Sequence, residues 1–394
     1  MPGPLNRKNL FKLEIATRAV AAQALGPKRS KRADTPTDLF LCIVDHYEPQ
    51  VNKPSTEVAR GRVEDWLRRY PELARAHRDS EGRVPPHSFF YPWDEYDAWE
   101  LTRILELCAD GYGEVDIHLH HRDDTEATLR QKLRDAVRVF HEHGALSQWP
   151  DGKPAWGFIH GNWALANSRC ENGRNFCGVN NEVELLQKEG CYADFTFPAW
   201  PHTAQPRQMN SIYYAKADAL RPKSYDRGVP AQSGQTQQEG LLLIQGPLVP
   251  YLAGRGRAPR LAMEDSDLAH YARYSPARMD RWVQAGIHVL GRPDRVFIKL
   301  HSHGAEDQNR AMMLGGDLDA LFADAEARYN DGKRYRLHYV TAREMFNIVK
   351  ATEAGIEDMA PARDFILPPP GMLPQKGKPS TTPSESERSL SEIV

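Results

Sequence analysis

The sequence predicts an α/β fold, a parallel sheet wrapped by helices, and three observations carry that expectation. Short apolar runs alternate with amphipathic helical runs along most of the chain. Several of the apolar runs are bounded abruptly by polar residues, namely Asp45-His46, His87 or Trp93-Asp94, His118-His120-His121, His160-Asn162-Trp163, Trp200-His202 and His301-His303. A chain of 394 residues, 40% hydrophobic and 26% charged, is also long enough to bury a substantial core as one large domain or two ordinary ones. Open sheets and barrels of this class both place reactive residues at the C-terminal ends of their strands, where these polar residues fall.

In chain order, residues 1–35 read as a basic helix and a Lys/Arg-rich linker at 27–32. Leu10, Phe11, Leu13, Ile15, Ala16 and Val20 line one face of that helix, which docks on the domain or touches a membrane surface. DLFLCIVDHYEP is the first core strand, ending at Asp45 and His46. Val58, Val63, Trp66, Leu67 and Leu73 predict a helix over 56–75, and HSFFYPWDEY at 87–96 a second strand, followed by a helix over 97–110. EVDIHLHHRDD at 114–124 is a strand with three histidines at its end. The helix over 125–143 is started by the Asp-Thr pair and ended by Gly144.

WGFIHGNWA at 156–164 repeats the polar-ended strand, and the helix VNNEVELLQKEG and the strand YADFTFPAW at 192–200 follow. The stretch 201–247, rich in Pro, Gln, Ser and Gly, reads as surface loops and short strands. It belongs to an insertion reaching to about 275 that is expected to cover one rim of the site. A helix at 276–285, the strand RVFIKLHSHG at 295–304, a helix at 316–330, and a last strand and helix in RLHYVTAREMFNIVKAT complete a domain spanning 36–350. Residues 351–367 form a C-terminal extension, and 368–394, poor in apolar residues, a disordered tail. No internal repeat is visible.

Lys plus Arg number 51 against 53 Asp plus Glu, a net charge of -2, so no global field draws nucleic acid to the chain. The five cysteines are an odd count with no CxxC pair, which fits a reducing compartment. Cys170 and Cys177 share the loop RCENGRNFCG, but free thiols are the preferred reading. The N-terminus lacks the apolar core of a signal peptide and no run approaches the roughly 18 apolar residues of a membrane span, so the expected location is cytoplasmic.

Side chains alternate along a strand, so His118 and His120 share one face while His121 points to the other or enters the turn. Two imidazoles and a carboxylate make an open site for zinc or a similar divalent ion, where water is acidified and a substrate oxygen polarised. The remaining ligand would come from another strand end, with Asp45 and His46 foremost. In the structural alternative these histidines only cap loops or bond Asp123 and Asp124, themselves a helix-start signal. His141 and His143 lie at a helix end and read as structural.

Over residues 36–350 this order of motifs resembles the polysaccharide deacetylase (NodB-homology) superfamily of metal-dependent carbohydrate esterases. The resemblance implies a distorted parallel (β/α) barrel with loop insertions and one divalent metal ion, zinc foremost. The implied reaction is N- or O-deacetylation of a polysaccharide or glycan precursor. IVDHYEP stands where the family has an Asp-Asp pair, implying Asp45 as general base and His46 as metal ligand. The family's H-x-x-x-H pair meets arginine at position 122, so His118 and His120 are implied as the ligand pair, with His121 as substitute.

FIHGNWAL and DFTFPAWP stand at the middle motifs without the family's Arg-Pro-Tyr or Asp-Trp signatures, leaving Asn162, Trp163 and Trp200 to line the groove. Trp93, with Tyr91 and Trp99, offers flat rings to the apolar faces of sugars. IKLHSHG stands at the family's Leu-x-x-His, implying His301 or His303 as general acid. In the implied hydrolysis the metal holds acyl oxygen and water, Asp45 removes the water's proton, and the histidine protonates the leaving group. Alternatives are a metal-dependent glycosidase drawing on Asp45, Glu48, Asp94 and Asp194, a phosphoesterase with a second metal, and a catalytically inactive glycan-binding relative. Peripheral membrane contact through the basic helix is compatible with a lipid-linked substrate.

Overall fold

Residues 7–25, 35–236, 239–254 and 260–371 are described in a computed structural model of the chain. The basic linker at 27–32 and most of the expected tail, from 372 onward, lie outside the described residues.

The elements run in the order α1 (Arg7–Leu25), β1 (Thr37–His46), α2 (Thr56–Ala74), β2 (His87–Pro92), α3 (Ala98–Leu107), β3 (Gly113–Leu119) and α4 (Glu126–Glu142). Then come β4 (Ser147–Gln148), β5 (Pro154–His160), β6 (Cys170–Glu171), β7 (Arg174–Asn175), α5 (Glu182–Lys188) and β8 (Cys191–Asp194). The middle region holds β9 (Ile212–Ala215), β10 (Val229–Pro230), β11 (Leu241–Ile244), β12 (Val249–Ala253), β13 (Arg260–Glu264) and β14 (Asp267–Leu268). The chain closes with α6 (Pro276–Ala285), β15 (Arg295–Ser302), α7 (Asp307–Met312), α8 (Leu318–Tyr329), β16 (Tyr335–Tyr339), α9 (Ala342–Glu353) and α10 (Met359–Ala362). Helix starts follow side-chain chemistry: Ser55, Asp97, Thr125 and Thr341 each accept a backbone N–H of the first turn.

The protein is mixed α/β around a 12-stranded, mostly parallel sheet ordered β10-β9-β11-β8-β5-β3-β2-β1-β15-β14, with β16 also on β1 and β4 on β5. Alternation along β1 sorts its side chains: Leu39, Leu41 and Ile43 pack into one core with Trp66, Leu101 and Leu133 of the helices. Phe40, Cys42 and Val44 pack into a second core with Phe90, Ile159, Phe195, Ile244, Phe297 and α9. The sheet curls around that second core. Phe90 of β2 and Phe195 just past β8 bring ring centroids to 5.7 Å, and Lys299 Nζ of β15 donates to the Phe195 carbonyl at 2.8 Å. Strands spaced about 4.8 Å apart would hold these positions several times farther apart in a flat sheet.

The stretch 201–247 holds short strands, as expected, but β11 among them is buried in the central sheet, parallel to β8 and antiparallel to β9. Its sequence LLLI is a continuous apolar run, the pattern of a strand covered on both faces, embedded in loop-like composition. The C-terminal extension is also tied down, since Asn347 Nδ2 donates to the carbonyls of Arg363 and Leu367 at 2.7 and 2.8 Å.

Helix α1 docks on the body. Ile15 and Ala19 are buried, Glu14 pairs with Arg207 at 2.7 Å, and Lys223 Nζ lies 4.8 Å from the Phe11 ring. Among the described residues no helix is long and apolar enough to cross a membrane.

Candidate metal centre

The polar ends of β1, β2, β3, β5 and β15 lie next to one another in the sheet, because parallel strands align their C-termini. His118 of β3 emerges on the face of the second core, the face of Asp116 beside Phe90, and His120 follows just past the strand's end. Both direct Nε2 at one oxygen: His118 Nε2 lies 3.1 Å and His120 Nε2 3.0 Å from Glu48 Oε1. On the far side of the His120 ring, Nδ1 meets Asp94 Oδ2 at 3.1 Å, and Asp94 Oδ1 accepts the His120 backbone N–H at 2.9 Å. The ring fits only because residue 161 is glycine, where a Cβ would stand 2.3 Å from His120 Cδ2.

His46 stands against this trio. Its ring centroid is 4.7 Å from that of His118, and it stacks on both Trp163 (4.9 Å) and His303 (4.5 Å). It is 1% exposed, yet neither ring nitrogen has a hydrogen-bond partner. Burial holds its pKa well below the ordinary histidine value, and the neighbouring His303, His118 and His301 act in the same direction. For Glu48, burial alone would favour the protonated form, but hydrogen bonds from His118 and His120 hold its pKa well below the usual carboxylate range. Burial would likewise lower His120, yet the bonds to Asp94 and Glu48 push it up to about 10.

Two imidazoles and a carboxylate converging on one point are a three-ligand set for a divalent ion. With an ion in place, the Asp94 carboxylate behind His120 would keep the proton on Nδ1, so that Nε2 could release its own and ligate. The residues therefore fit a metal ion, and the orphaned nitrogens of His46 mark an unfilled polar need beside it.

The other expected site residues divide. His303 and Trp163 border the cluster, partly exposed, and His301 is buried with its centroid 5.4 Å from that of Trp163. Asp45 does not face the cluster. It lies on the opposite face of β1 from His46, its Oδ2 2.9 Å from His87 Nε2 and its Oδ1 accepting the Gly304 N–H at 2.6 Å. Asn162 is occupied by the loop, its Nδ2 donating to the His121 carbonyl at 2.7 Å. Trp93 packs on Tyr96 just after β2, and Trp200 is partly exposed beyond β8. His121 turns to the opposite face, toward His160 and Glu182. Of the expected structural histidines, His143 Nε2 meets the Tyr96 hydroxyl at 2.8 Å. The five cysteines are free thiols.

Sequence reasoning placed Glu48 only among glycosidase carboxylates and did not offer it to the metal. The signal was its position two residues past His46, just beyond the strand, where it can turn back over the strand ends. No protein-family model matches the chain, and a search of curated proteins finds no match.

Proposed function

We propose that the protein is a metal-dependent hydrolase of the polysaccharide deacetylase type that removes an acyl group, acetyl foremost, from a glycan or glycan precursor. The observation that carries the reading is the convergence of His118 Nε2, His120 Nε2 and Glu48 Oε1 at the C-terminal strand ends. The curl of the sheet around the Phe40, Phe90 and Phe195 core supports the distorted (β/α) barrel that such an enzyme uses.

His118, His120 and Glu48 would hold the ion, zinc by its donor set, with His46 at its side. When bound, the ion polarises the acyl carbonyl and lowers the pKa of water. Asp94 keeps His120 in the ligating tautomer. His303, partly exposed and stacked on His46, takes the proton of the attacking water and returns it to the leaving amine or alcohol. His301 is less suited to that exchange, being buried with Nδ1 unpaired and Nε2 3.8 Å from Asp267. Asp45 supports the turn that carries His303 and does not act as the base. Trp163, Trp93 and Trp200 present partly exposed rings for sugar faces. The work is placed in the cytoplasm, on a soluble or lipid-linked glycan precursor.

The test pairs metal content with acetate release from N-acetylated oligosaccharides, for the wild type and for His118→Ala/His120→Ala. The expected result is loss of one bound metal ion and of acetate release together. Equal metal in both proteins overturns the site. Metal that depends on the pair, without acetate release from any acetylated glycan, overturns the reaction.

A further inference from the structure

On the opposite face of the same strand ends, four side chains from four segments meet. His121 follows β3, His160 ends β5, Cys177 lies in the loop between β7 and α5, and Glu182 is the first residue of α5. A ligand atom of each lies within 4.8 Å of the others, and all four residues are buried. His121 Nε2 is 2.8 Å from Glu182 Oε1, and Cys177 Sγ is 3.2 Å from Glu182 Oε2. His160 Nε2 points at the same Oε1 from 3.8 Å, outside hydrogen-bond reach, and has no partner. Behind His121, Nδ1 meets Asp124 Oδ2 at 3.1 Å, and Asp124 is itself held by Lys132 at 2.8 Å.

Ordinary hydrogen bonding accounts for His121, Cys177 and Glu182 but leaves the His160 nitrogen buried, aimed at the group and unsatisfied. Two imidazoles, a thiol sulfur and a carboxylate form a zinc donor set, and a carboxylate on the outer nitrogen of a ligating histidine is its usual support. We infer that His121, His160, Cys177 and Glu182 hold a second divalent metal ion, zinc by donor chemistry, in a closed site with a structural role.

Four protein ligands fill a tetrahedral shell and leave no position for substrate, which separates this site from the open trio at Glu48. On binding, Cys177 releases its thiol proton and becomes a thiolate, and His121 releases the Nε2 proton it shares with Glu182, both protons going to solvent. His160 ligates through Nε2 with its proton on Nδ1, so the 3.2 Å approach of the Asn162 N–H to Nδ1 opens. That single long contact is a small loss against four coordinate bonds. The ion ties the ends of β3 and β5 to the 161–181 loop and the start of α5. The same loop carries Trp163 onto His46, so the closed site fixes one wall of the open one.

The test is cobalt incorporated during expression of the full chain, confirmed by metal content, and read in the near-ultraviolet for a thiolate-to-cobalt charge-transfer band. The band is expected in the wild type, unchanged in His118→Ala/His120→Ala, and lost in Cys177→Ser together with one metal ion per chain. Absence of the band from the cobalt-loaded wild type overturns the site, and that measurement needs no variant to fold. A band that survives Cys177→Ser overturns it equally. Because the open cluster contains no sulfur, failure there removes metal without touching the band, so the two assignments fail separately.

Discussion

Asp45 and Gly304 are fitted to each other across β1 and the end of β15: Asp45 Oδ1 accepts the Gly304 N–H at 2.6 Å, and a Cβ on residue 304 would lie 2.2 Å from Asp45 Oδ2. Trp66 closes the third side, its indole N–H donating to the Gly304 carbonyl at 2.9 Å. The glycine ending HSHG is thus a packing requirement, and the carboxylate sets the height of the turn that carries His303.

Asp45→Asn should therefore lower stability and leave the metal in place. The substitution weakens bonds to a buried ring and a buried N–H, each costing roughly 1–3 kcal/mol if left unsatisfied. Gly304→Ala should cost about 1–3 kcal/mol by overpacking. Denaturant titration beside metal analysis checks both. Loss of metal from Asp45→Asn with unchanged unfolding midpoint would return Asp45 to the metal site.

Asp94 touches no proposed substrate atom, so its role is read through the metal. Asp94→Asn keeps the shape and loses the charge behind His120 Nδ1, and metal affinity should fall about 10–100-fold. Glu48→Gln, which removes a ligand, should fall further. Competition with a chromogenic chelator gives both affinities, and an Asp94→Asn protein that binds as tightly as wild type contradicts the arrangement.

Much of the scaffold was legible because it follows local rules. The strand ending at His46, the helix capped by Thr125 and the strand HSFFYP are set by apolar period and capping chemistry, and each lies within a few residues of its expected place. The shared face of His118 and His120 followed from the period of two alone. The unread parts depend on contacts distant in sequence. Alternation already separates Asp45 from His46, but only the packed strands show which face holds the cluster. Nothing local marks Cys177 and Glu182 as neighbours of His121, because they meet through the return of a loop some 60 residues on. LLLI escaped notice because its surroundings read as loop.

Helix α1 should behave as a docked strap. Ile15 is its buried anchor, while Leu10 and Leu13 stay exposed. Ile15→Asp should release the helix and speed proteolysis within residues 7–25, with little change in the unfolding midpoint of the main body. Limited proteolysis followed by mass analysis reads this. Equal protection in variant and wild type would show that the anchor lies elsewhere.

A cluster sensitive to pH lies at the opposite end of β1 from the metal centre. His338 lies between two carboxylates, Nε2 2.9 Å from Asp38 Oδ1 and Nδ1 3.3 Å from Glu81 Oε2, with Arg336 on Asp38 and Arg363 on Glu81. Burial alone would lower the His338 pKa, but the bonds to Asp38 and Glu81 raise it above the ordinary value. The hydrogen bond from His338, opposed by burial and aided by Arg363, holds Glu81 down to about 2. A histidine raised on folding contributes stability that is full below its unfolded pKa of about 6.5 and is lost as pH rises through its folded value. A carboxylate depressed on folding contributes stability that is full above its unfolded pKa of about 4.3 and is lost as pH falls. The cluster thus contributes most between about pH 4.5 and 6.5 and weakens on both sides. Because Glu81 is exposed, screening holds its share to about 1 kcal/mol or less. His338→Gln should lower the unfolding midpoint most near about pH 6, and the gap to wild type should shrink as pH rises through the raised folded value and the wild-type histidine loses its proton. A gap that stays constant across that range would mean that His338 is neutral in the folded protein and contributes only by packing.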